Sequence, residues 1–133
     1  MTTKIDALAT YLSCSADDIT VNGHYYALGD KDYLVVTDDE ADEAARESIL
    51  DSLWAFRPSF LAAHAVEGVD AEVFCIVQSA KFEDATPIFK RLITDLDAFV
   101  ADAIALDGRA RFLARYDGNE IELDGGFFAY RDN

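Results

Sequence analysis

Cysteine is scarce in this chain: Cys14 and Cys75 are the only two among 133 residues. Two thiols cannot build a disulfide scaffold, so a reducing compartment is expected, with both thiols free. Histidine is as scarce. His24 and His64 have no second His or Cys at ligand spacing, which argues against a zinc site. No apolar run approaches the length of a membrane span. The first twelve residues, MTTKIDALATYL, hold one Lys, an Asp and no cleavage pattern, so no signal peptide is read. No G-x-x-x-x-G-K-[ST] loop, G-x-S-x-G elbow or EF-hand pattern occurs, and no repeat, linker or low-complexity segment. The largest shortage is of positive charge. Eleven bases stand against 26 acids, a net charge of −15, where a small domain usually carries a magnitude of about 2–8. A duplex would repel such a surface, which argues against direct nucleic-acid binding. Two readings remain: the charge serves solubility or salt adaptation, or it imitates a polyanion toward a basic partner.

What is present is enough to fold. Apolar residues make up 51% of the chain, with one Trp, six Tyr and nine Phe, and the length suits one domain with one core. Thr3 caps a first helix carrying Ile5, Leu8 and Leu12 at helical spacing and ending near Ser13. Three short strands follow, Ile19–Val21, His24–Leu28 and Tyr33–Thr37, with turns expected at Asn22-Gly23 and at Gly29-Asp30-Lys31-Asp32. Pro58 starts a short helix. The run after Asp70 can be a strand, but Asp70 as an N-cap and the length to Ala80 favour a helix; Cys75 inside it reads as core. Thr86 and Pro87 open a helix expected to run unbroken to Asp107. Arg109–Tyr116 is a helical turn or a strand. At the C-terminus, Asn119–Leu123 and Phe127–Arg131 form a hairpin. With a loop at 124–125 or 125–126, Ile121, Leu123, Phe128 and Tyr130 would share one face; the second register would also set Glu120 opposite Arg131. The sum is a single α+β domain over residues 1–133: a small antiparallel β-meander and a C-terminal hairpin packed with three to five helices.

The most specific stretch runs from Tyr33 to His64. A short apolar run meets Thr37-Asp38-Asp39-Glu40, which has the form of a capping box. A helix is then expected to about Phe56. Ala41, Ala45, Ile49, Leu53 and Phe56 lie on one side, and Glu40, Glu43, Glu47 and Asp51 form a line on the other. Seven acids (Asp38, Asp39, Glu40, Asp42, Glu43, Glu47, Asp51) face one base, Arg46, within 14 residues. Carboxylates about 5–6 Å apart along a helix approach the spacing of phosphates along a nucleic-acid strand. Their mutual repulsion costs stability, which a solubility device would not require in so dense a form. Trp54 falls nearly in line with the stripe, one turn beyond Asp51. It is either packed under Phe60-Leu61 or an anchor for a partner.

Other motifs read as accidents. Asp39-Glu40-Ala41-Asp42 spells the DEAD box of nucleotide-driven helicases, but without a phosphate loop it is an acidic helix start. Asp95, Asp97, Asp102 and Asp107 scatter around one helix and read as a solvated face. Cys14 and Cys75 are single thiols, and a Cys–His dyad is a weaker reading than a structural role.

The segment YLVVTDDEADEAARESILDSLWAFRPSFLAAH resembles a family of small acidic proteins carried by bacteriophages and prophages. DGRARFLARYDG and the closing FFAYRDN are similar to that family's later segments, so the likeness runs from about Tyr33 to the end. It supplies no catalytic residues. It implies a phage-encoded protein made in the cytoplasm of a bacterial host, a class that includes anti-CRISPR and anti-restriction inhibitors. The combined expectation is a non-enzymatic inhibitor needing no cofactor and no metal. Its partner would be the basic groove of a host nucleic-acid-binding protein or complex, with no direct nucleic-acid and no membrane contact. Asp38, Asp39, Glu40, Glu43, Glu47, Asp51 and Trp54 would bind that partner. The rivals are a phage accessory or assembly protein whose acidity serves solubility, and a small carboxylate-dependent hydrolase.

Overall fold

Five strands carry the first half of the architecture: β1 (Thr20–Asn22), β2 (Tyr25–Leu28), β3 (Lys31–Thr37), β4 (Ile121–Leu123) and β5 (Phe127–Arg131). In the computed structural model, which describes residues 2–133, they form one antiparallel sheet in the order β1-β2-β3-β5-β4. The helices are α1 (Lys4–Leu12), α2 (Asp38–Asp51), α3 (Pro58–Ala63), α4 (Ala71–Lys81), α5 (Ala85–Leu92), α6 (Leu96–Asp107) and α7 (Ala110–Leu113). The fold is α+β. Its contacts divide into two compact units, one of residues 1–45 and 107–133 and one of Arg46–Leu106, with the division falling inside α2.

In the first unit β3 is the middle strand, and both its faces are covered. Alternation sends Tyr33 and Val35 to one side, with Tyr26, Leu123 and Ala129, against Ala7 and Leu8 of α1. Leu34 and Val36 point the other way, with Tyr130, Ala41 and Ala114. Thr3 caps α1, its Oγ1 accepting from the Asp6 N–H at 3.2 Å. The meander forms with its first turn shifted by one residue and its second turn two residues shorter than expected. Asn22 pairs with Tyr25 and Leu28 with Lys31. The loops are therefore Gly23-His24 and Gly29-Asp30, each opening on a glycine with φ near +64°; a left-handed first residue suits the twist of a two-residue hairpin. The C-terminal hairpin corrects the expected register. Leu123 pairs with Phe127 across a three-residue loop. Ile121 and Leu123 therefore share a face with Phe127 and Ala129, while Phe128 and Tyr130 take the opposite one. One extra loop residue flips every pairing. Arg131 pairs with Tyr33 rather than Glu120.

The second unit is helical. Ile49, Leu53, Leu61, Phe74, Phe89 and Phe99 are each fully buried in it. Phe74 meets Phe89 edge-on at 4.9 Å, and Phe99 takes Phe60 at 5.0 Å. Asp70 caps α4 through the Val73 N–H, as its position predicts. Three expectations are corrected here. The helix from Thr86 to Asp107 is two: the chain leaves α5 so that Ile93 can bridge Ala65, and Asp95 caps α6 by accepting from the Ala98 N–H. Thr86 is not a cap but a buried residue within α5. Cys75 is exposed, because only Phe74 of its apolar run faces inward at helical spacing.

Candidate functional site

The capping box at the start of α2 is complete. The Glu40 N–H donates to Thr37 Oγ1 at 3.2 Å, and the Thr37 N–H donates to Glu40 Oε1 at 2.9 Å. The same carboxylate oxygen accepts from Lys4 Nζ at 2.8 Å. The Lys4 hydrogen bond, helped by that from the Thr37 N–H, holds the Glu40 carboxyl at about 2, well below its ordinary value. Glu40, expected on the free stripe, is thus folded back into the helix cap.

Asp38 and Asp42 are also engaged. Arg109 Nη1 donates to Asp38 Oδ1 at 2.7 Å, to the Asp38 carbonyl at 3.1 Å and to Asp42 Oδ1 at 3.0 Å. Its Nε donates to Glu120 Oε1 at 3.0 Å, and its guanidinium lies 5.0 Å from the Phe128 ring centre. The buried Tyr130 hydroxyl donates to Glu120 as well. Burial pulls the Arg109 pKa down, but the Asp38 hydrogen bond and the neighbouring carboxylates raise it overall. Burial, then Glu120, push the Tyr130 hydroxyl up. Carboxylate oxygens of Asp38, Asp39 and Asp42 lie within 4.8 Å of one another, near enough to share a cation. Arg109 already serves two of them.

What is left of the stripe is regular. Asp39, Glu43, Glu47 and Asp51 are exposed at steps of four residues, opposite the fully buried Ala41, Ala45 and Ile49. None of the four forms an ion pair among the described residues. Along one helix they span about 18 Å, with neighbours about 6 Å apart. Arg46, the one base of the stretch, pairs with Asp97 instead. Trp54 is not on this helix. α2 stops at Asp51, where the Ser52 hydroxyl donates back to the Ser48 carbonyl, and Leu53–Ala55 form a 3₁₀ turn. The Trp54 N–H donates to Thr86 Oγ1, and its carbonyl accepts from Gln78 Nε2. Trp54 is half-buried and lines a groove with Lys81–Asp84.

His64 faces a carboxylate and two aromatic rings. Its Nε2 lies 2.8 Å from Asp102 Oδ2, and its ring packs on Phe60 and Phe99. The residues that sequence reasoning missed are Arg109, Lys4, Glu120 and Tyr130. For Arg109 and Lys4 the one signal was scarcity, since in so acidic a chain each base needs explaining; Glu120 and Tyr130 gave none. Arg109 lies 71 residues from Asp38, a separation no local pattern spans. Among the described residues no helix is long and apolar enough to cross a membrane. No protein family, curated protein or solved structure matches the chain.

Proposed function

We propose that this protein is a non-enzymatic inhibitor, phage-encoded and acting in the cytoplasm of a bacterial host. Its α2 carboxylates dock in the basic groove of a nucleic-acid-binding defence complex, a CRISPR effector or a restriction nuclease, and keep nucleic acid out by occupancy. The observation that carries this reading is the unneutralised row Asp39, Glu43, Glu47 and Asp51. The chain spends its nearby bases on Asp38, Glu40, Asp42 and Asp97, and leaves those four facing water. The first unit has sixteen acids against six bases, a net −10, and the second ten against five, a net −5. Both therefore steer toward a positive surface, the first more strongly. The likeness to small acidic phage proteins supports the setting.

The test is capture of partners from a bacterial lysate at low and high salt, followed by nucleic-acid binding assays on what is captured. The expected result is a salt-labile partner whose nucleic-acid binding falls as this protein is added. A captured partner that binds nucleic acid equally well in its presence would favour a solubility role.

A further inference from the structure

Phe82 follows α4 with φ +49° and ψ −125°, a backbone conformation that side chains other than glycine rarely adopt. The conformation does not serve to bury the ring, which is 67% exposed. Phe82 and the half-buried Trp54 instead line an open groove of about 490 Å³ with Lys81, Glu83 and Asp84. The arc of α4 leading to this corner exposes Val73, Ile76 and Ala80 and carries one charge, Glu72. In a chain of net −15 this surface is unusually apolar. Its rim holds both signs side by side, Lys81 against Glu83 and Asp84. A patch with an aromatic centre and both charges on its rim is complementary to itself under a twofold axis.

We propose that the groove is a self-association surface, in which Phe82 of each copy lies against Trp54 of its mate and Lys81 faces the mate's Glu83 or Asp84. The second unit is the less charged of the two, so copies meeting there repel least. The strained backbone presents the ring outward, the exposed aromatic anchor that an interface of this kind needs. This inference is independent of the inhibitor reading, because it uses none of the α2 carboxylates.

Sedimentation equilibrium of the full chain over a wide concentration range tests it. The wild type should show a monomer–dimer equilibrium. Phe82→Gly should weaken dimerisation at least tenfold while raising the melting temperature of the dilute monomer, since glycine relieves the strain. Lys81→Glu should also weaken dimerisation, and adding Glu83→Lys to it should restore the dimer by reversing both ends of the contact. A monomer at every concentration would overturn the proposal. So would a dimer unchanged in Phe82→Gly, or one that Lys81→Glu leaves intact.

Discussion

Glu40 is the residue at which local and tertiary chemistry meet. It closes the capping box with Thr37 and receives Lys4. Its folded pKa, about 2, lies below the ordinary carboxyl value of 4.5. The carboxylate therefore adds stability above the unfolded value, and that contribution is lost as pH falls through 4.5 toward 2. The side chain is 37% exposed, so solvent screens much of the effect. Glu40→Gln keeps the capping geometry and should cost about 0.5–1 kcal/mol at neutral pH. The difference should close near pH 2, read by urea unfolding at a series of pH values. Arg109 is the other critical residue. Its side chain is 13% exposed and answers three carboxylates. Arg109→Ala should destabilise the fold by about 2–3 kcal/mol, leaving Glu120 and the buried Tyr130 hydroxyl without their cation. Arg109→Lys should recover only part, because an ammonium cannot fork between Asp38 and Glu120.

At the level of elements, local signals were legible and distant ones were not. Thr3, Asp70 and the Thr37–Glu40 box each start the helix that their sequence predicts. β3 has four consecutive buried residues, Tyr33 to Val36, in the apolar run that marked it. The unbroken helix from Thr86 failed because Ile93 pairs with Ala65, a contact no periodicity encodes. The hairpin register failed by one residue because Gly125 and Gly126 both adopt positive φ and join a three-residue loop. The acidic face of α2 was legible as a face; which of its members are neutralised depended on Lys4 and Arg109. That face makes an energetic prediction. Three like-charge contacts of about 0.2–0.5 kcal/mol each link Asp39, Glu43, Glu47 and Asp51. Asp39→Asn, Glu43→Gln, Glu47→Gln and Asp51→Asn together should therefore raise unfolding stability by about 1 kcal/mol at low salt, and by less at high salt. For Phe82→Gly, strain relief should outweigh the added chain entropy of glycine by about 1 kcal/mol, measured on dilute protein.

At the level of the whole molecule, bases are distributed unevenly over carboxylates. Arg109, Lys4 and Arg46 answer acids whose positions fix the fold, and the outer row of α2 goes unanswered. The central claim is that this row is a docking edge and not a solubility face. The most direct measurement is the association rate of the wild type and of the fourfold neutral variant with the captured partner, at two ionic strengths. The wild-type rate should fall steeply with salt. The variant, with its fold intact, should associate about tenfold or more slowly at low salt and show a flattened salt dependence. Equal on-rates for the two proteins at both ionic strengths would contradict the claim and remove α2 from the interface.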